Sequence, residues 1–164
     1  MDLSPICGLH DAIESRRGKF LISTDRTRLD LEVIHGFLTN CYWAKGIPGE
    51  VVARSIEHSL CFGIYHEVGA EFSQVGFARV ITDFATIAYL GDVFVLEAYR
   101  GRGLSKWMME CIMRHPQLQG LRRWILLTRD AHALYSKFEF TPVKASERYM
   151  ELHRADIYEI RETR

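Results

Sequence analysis

The sequence predicts a single α/β domain, a mixed sheet with helices on both faces. Its length of 164 residues fits one domain, on the usual allowance of about 150 residues each. The order of elements reads strand, two helices, three strands, helix, strand, helix, then one or two closing strands. No repeat, low-complexity tract or linker offers a boundary, so residues 1–164 form one expected unit, the first 18 or so a loose polar extension.

Each element rests on its own pattern. Residues 19–23 (KFLIS) make a short apolar run suited to a first strand. Asp30 can cap a helix on which Ile34, Phe37, Leu38 and Cys41 fall at i, i+3, i+4 and i+7. Gly46, Pro48 and Gly49 then break the chain, and Pro48 suits the start of a second helix burying Val52, Ile56 and Ser59. Residues 61–68, 73–82 and 86–95 read as an antiparallel meander, with turns at 67–72 and at Asp83-Phe84. Leu104, Trp107, Met108, Cys111 and Ile112 form an amphipathic helical stripe. Residues 124–127, fully apolar, read as a strand buried on both faces. Ala131, Leu134, Tyr135 and Phe138 form a last helical stripe, and residues 140–152 alternate enough for the closing strands.

The bulk numbers exclude more than they select. Lysine plus arginine and aspartate plus glutamate stand at 21 each, without the positive excess on which nonspecific nucleic-acid binding depends. Cys7, Cys41, Cys61 and Cys111 show no C-x-x-C pairing, so neither a zinc nor a redox motif is expected and they read as packing residues. The first twenty residues hold no apolar core of signal-peptide length, and no run approaches the roughly 18 apolar residues of a membrane span. No membrane association is expected, and the cytoplasm is the expected compartment.

The chemistry concentrates in DVFVLEAYRGRGLSKWM, where a strand ending at Val95 meets a glycine and arginine loop that opens onto the amphipathic helix. A helix start offers unpaired N–H groups and the positive end of the dipole. Gly101 and Gly103 let a phosphate approach the main chain, and Arg100, Arg102 and Lys106 add positive charge. A dinucleotide fingerprint needs glycine or alanine where Lys106 stands, and a Walker loop needs lysine followed by serine or threonine; neither fits. The segment resembles the acetyl-CoA motif of the GNAT (Gcn5-related N-acetyltransferase) superfamily, with Arg100 and Gly103 at its defining positions and Ser105 where the motif has glycine or alanine. Ala131, Leu134, Tyr135, Lys137 and Phe140 resemble that family's second signature, with Thr128 in place of the usual asparagine and Glu139 in place of the glycine.

The resemblance covers nearly the whole chain. It implies the GNAT fold, a central mostly antiparallel sheet with helices on both faces, and transfer of an acetyl group from acetyl-CoA to the amine of a small molecule or peptide by direct attack in a ternary complex. A non-catalytic acyl-CoA sensor or adaptor on the same fold is the alternative, and a homodimer is compatible with either. The implied coenzyme-binding residues are Phe94, Val95, Arg100, Gly101, Arg102, Gly103, Leu104 and Ser105. Phe94 and Val95 act mainly through their main chain, where the strand splays from its neighbour. Tyr135 takes the place of the thiol proton donor; as a residue of an apolar stripe it can equally be core. No metal is implied.

For the base, Asp92 lies on the coenzyme-binding strand, where strict alternation puts it on the face of Leu90 and Phe94 and opposite Val93 and Val95. It either accepts a proton through water or fills a structural role. His132, three residues before Tyr135, is a second candidate and also reads as a surface or capping residue. Tyr42 and Trp43, in the break between the first two helices, are the candidate acceptor-binding residues, suited to an apolar or aromatic substrate, or else a lid on the core.

Overall fold

A computed structural model describes residues 12–158. One six-stranded sheet runs β1 (Glu14–Arg17), β2 (Phe20–Ser23), β3 (Leu60–Val68), β4 (Glu71–Thr82), β5 (Ile87–Val95) and β6 (Arg123–Leu126), in that spatial order. All neighbours are antiparallel except β5 and β6, which run parallel. A parallel pair needs a crossover. Helix α3 (Leu104–Arg114) supplies it.

The helices divide between the two faces. On one, α1 (Leu31–Leu38) and α2 (Gly49–Glu57) bury Ile34, Leu38 and Val52 against Cys61, Phe77 and Phe94. On the other, Trp107, Met108, Met109 and Ile112 of α3 pack on Phe62, Ile64, Val80 and Leu90. Asp30 caps α1 as expected, its Oδ1 accepting from the Glu32 and Val33 amides at 3.0 and 3.1 Å. Pro48 immediately precedes α2, and Ser59 is buried just beyond its end. Asp83 closes the β4–β5 turn by accepting from the Thr86 hydroxyl and from the amides of Thr86, Ala85 and Ile87, which holds its carboxyl well below the usual range.

Four expectations are corrected. The polar start is not wholly loose, because β1 pairs with β2 about a turn at Gly18, whose φ of +57° suits glycine; residues 1–11, Cys7 included, lie outside the described residues. Residues 124–127 are not buried on both faces, since β6 is a partly exposed strand with β5 on one side, and Leu127 is 72% exposed. No strand forms in residues 140–152. A strand exists by pairing, and this segment instead turns at Ser146–Arg148 and leaves Met150 and Leu152 in solvent. The last helical stripe holds only as a single turn, α4 (His132–Tyr135), tightening at once into a 3₁₀ turn over Ser136–Phe138.

That 3₁₀ turn ends on Glu139 at φ +67°, the left-handed conformation that glycine adopts without a Cβ penalty. Glu139→Gly is therefore expected to stabilise the domain by about 1 kcal/mol, the relief from strain exceeding the added chain entropy. Comparison of denaturation midpoints checks this, and a lower midpoint would show that the carboxylate side chain compensates for its backbone.

Candidate active site

The site begins as an irregularity in β5. Arg79 of β4 faces Gly91 and Phe77 faces Phe94, so Ala78 alone spans Asp92 and Val93, a β-bulge. Asp92 takes φ +54°, which opens the bulge. The extra residue resets the alternation. Leu90 packs in the cluster under α3, whereas Phe94 stacks on Phe37 of α1 with ring centroids 3.9 Å apart. Leu90 and Phe94 are thus on opposite faces, contrary to the expectation from strict alternation. Asp92 shares the α1–α2 side with Phe94, while Val93 and Val95 pack with the opposite cluster.

On its other edge β5 loses its neighbour. Pairing with β6 runs from Ile87 opposite Arg123 to Leu90 opposite Leu126 and then stops, leaving residues 91–95 without a β6 partner. The strands part into a cleft of about 1480 Å³ lined by Val93, Phe94 and Val95 on one side and by Leu127, Thr128 and Tyr135 on the other. Thr128, in the place of the usual asparagine, accepts from the Ala131 amide at 3.0 Å and so ties the end of β6 to the residue that precedes the turn carrying Tyr135.

At the end of β5 the chain passes through a 3₁₀ turn, Glu97–Tyr99, into the glycine loop. Gly101 and Gly103 have φ of +75° and +73°, and Gly103 is the N-cap of α3 with no side chain to satisfy the first helical amides. No acidic residue lies in that first turn. A helix start without a side-chain cap or an acid offers its first amides and the positive end of its dipole to an anion. Of the predicted coenzyme residues, Phe94, Val95, Arg100 and Ser105 line the cleft, while Gly101, Arg102 and Gly103 are exposed beside it and Leu104 is buried in the core. Arg100 donates from Nε to the Val95 carbonyl at 3.1 Å, tying the loop to the strand end, and the Arg102 guanidinium lies over the Tyr99 ring at 5.5 Å.

Tyr135 stands in the cleft wall, 8% exposed, its ring edge-on to Phe140. Burial, with smaller contributions from Tyr42 and Asp130, pushes its phenol up to about 12. His132 is exposed and is not among the residues lining the cleft. Tyr42 and Trp43 line the other half, their rings edge-to-face at 4.9 Å, with the Arg129 guanidinium 3.9 Å from the centre of the Tyr42 ring.

Asp92 is heavily engaged. Its Oδ2 accepts from Arg79 Nε at 2.7 Å and its Oδ1 from Trp43 Nε1 at 3.3 Å. Arg79 was not anticipated as a site residue, although a cation between the apolar residues Phe77 and Val80 of a central strand was its signal in the sequence. Tyr89, Arg129 and the segment 151–158 also line the cleft without having been anticipated. That segment reaches across to the break between α1 and α2, where a Cβ on Gly46 would lie 3.3 Å from the Tyr158 carbonyl oxygen. Among the described residues no cluster of His, Cys, Asp and Glu is placed to hold a metal ion, and no helix is long and apolar enough to cross a membrane.

Comparison with known proteins agrees with this geometry. Residues 57–142, from the end of α2 to just beyond Phe140, match the family model of the acetyltransferase (GNAT) domain. A Gibberella zeae protein assigned as an acetyltransferase is 34% identical over 140 residues, covering 74% of this chain and 78% of its own. The crystal structure of a Xanthomonas campestris protein, assigned as an acetyltransferase of the GNAT family, superposes with a TM-score of 0.80 at 50% identity, covering 85% of this chain and 96% of that one. A Clostridium acetobutylicum protein solved with acetyl-CoA shares the fold at 14% identity and a TM-score of 0.51, over 76% of this chain and 92% of that one. With a family model matching more than half its length and two relatives of this similarity, the chain belongs to the GNAT family of acetyltransferases.

Proposed function

We propose that this acetyltransferase takes acetyl-CoA as its donor and passes the acetyl group to a primary amine held in the same cleft. The observation that carries the reading is the parting of β5 from β6 after Leu90, in a cleft that Arg100 and Ser105 of the glycine loop also line. It leaves main-chain groups of residues 91–95 free to pair with the amides of a pantetheine arm, and the cradle at Gly101 to Ser105 receives a pyrophosphate. Arg100 and Arg102 shape that loop and add charge to it.

The thioester is already activated, so the protein's contribution is chiefly position. The amine lone pair attacks the carbonyl carbon, the C–S bond breaks, and the leaving sulfur takes a proton from Tyr135. The incoming ammonium gives one proton to Asp92 through water, and the second proton that the nitrogen loses as the amide forms returns through water to Tyr135. Tyr42 and Trp43 support the apolar part of the acceptor. His132, exposed and off the cleft lining, has no part in this scheme.

Acetyl-CoA at a hundredfold excess over its Kd is expected to stabilise the native state by about 2.7 kcal/mol, a shift that NAD and ATP do not match. Thermal denaturation with each ligand measures it. Thiol release from acetyl-CoA in the presence of amines, amino acids, polyamines and peptides then identifies the acceptor. A larger shift with NAD or ATP, or no amine-dependent release, would overturn the reading.

A further inference from the structure

Arg79 is a guanidinium in the middle of a central strand, with a side chain only 16% exposed. Removing such a group from water is costly, and an isosteric apolar residue would fill the space at less expense. Its hydrogen bonds indicate what it does there. Nε donates to Asp92 Oδ2 at 2.7 Å, and Nη1 donates to Ser59 Oγ at 3.3 Å, which itself donates to the Ser55 carbonyl at 2.8 Å. The guanidinium thus joins the end of α2 to the bulge of β5.

The chain of contacts continues beyond Asp92. Its Oδ1 accepts from the Trp43 indole, whose ring lies 6.2 Å from Phe37, and Phe37 in turn stacks on Phe94. Trp43 sits in the turn between α1 and α2 and is 41% exposed, so packing alone holds only part of it. Its one polar side-chain atom is held by Asp92, and Asp92 is held by Arg79. Arg79, Asp92 and Trp43 all line the cleft.

We infer that Arg79 is a positioning residue for acetyl transfer, holding Asp92 so that the carboxylate fixes Trp43 as a wall of the acceptor half of the cleft. The inference rests on the proposed function. It deepens that reading by giving the bulge a second role, because the strand that opens for the donor also anchors the wall against which the acceptor lies. Ordering of a half-exposed ring before the substrate arrives removes a cost that the acceptor would otherwise bear on binding.

The test compares Arg79→Met, Arg79→Lys, Trp43→Phe and the Arg79→Met/Trp43→Phe double variant, with the amine that the wild-type protein acetylates. Arg79→Met and Trp43→Phe are each expected to lower kcat/KM for the amine by about tenfold or more while KM for acetyl-CoA stays at the wild-type value. Trp43→Phe keeps an aromatic ring and removes the N–H, so it tests the wall even if Arg79→Met folds poorly. Arg79→Lys retains the charge and is expected to recover part of the loss. The double variant is expected to be no worse than the weaker single one, because both break the same tether. Additive losses, an acceptor kcat/KM unchanged in Trp43→Phe, or a change confined to acetyl-CoA would overturn the inference while leaving the reaction intact. A wild-type protein without amine-dependent thiol release would remove both.

Discussion

Tyr135→Phe is expected to lower kcat by about 10²–10⁴-fold, the usual worth of one positioned proton transfer. The change keeps the ring, which belongs to the core cluster under α3 and meets Phe140 edge-on, and deletes only the hydroxyl. Coenzyme affinity is expected to stay constant, because a donor that acts on the departing sulfur contributes to the transition state and not to the ground-state complex. Kinetics together with coenzyme titration check both halves of the statement.

The same environment sets its pH dependence. Burial raises the phenol from 10 to about 12, so Tyr135 keeps its proton through the neutral range and gives kcat no basic limb below about pH 10. The folded state then holds a proton that the unfolded chain releases between those values. Stability from this group is whole below pH 10 and falls as the pH rises towards about 12. If Tyr135 were packing alone, Tyr135→Phe would turn over normally and only truncation to alanine would do harm. That outcome would leave the leaving sulfur to be protonated by water.

Gly103→Val is expected to abolish stabilisation by acetyl-CoA, about 2.7 kcal/mol at a hundredfold excess over the wild-type Kd, while the domain still folds. A Cβ at this position meets nothing within 4 Å, so the effect does not come from a clash. It comes from φ +73°, which costs an L-residue roughly 1–2 kcal/mol and more when the side chain is β-branched. Relief of that strain rotates the peptide out of the left-handed region and re-aims the first amides of α3, which have no side-chain cap. Gly103→Ala is expected to fall between wild type and valine. Full coenzyme stabilisation in the valine variant would remove the loop from the binding site.

The sequence alone determined the elements whose signals are local. Asp30 caps α1 because its carboxylate reaches amides two and three residues on, and Trp107, Met108 and Ile112 face inward because 3.6 residues complete a turn. The loop from Arg100 to Ser105 was legible for the same reason, since glycine, charge and a helix start are all properties of one short segment. Tyr135 was legible through its motif, and the cleft lining includes it.

Tertiary structure decided what depends on a neighbour. The bulge at Asp92 is invisible in β5 alone, because it exists only as a mismatch of register with β4, and it moved Leu90 and Phe94 to opposite faces. Alternation in residues 140–152 suggested strands that never formed, because hydrophobic pattern supplies a face but not the partner edge that a strand requires. The ion pair of Arg79 with Asp92 joins residues thirteen apart in sequence and on adjacent strands, and Trp43 meets them from a turn forty-nine residues away. Their convergence is set by sheet register and helix packing, which no window of the chain contains.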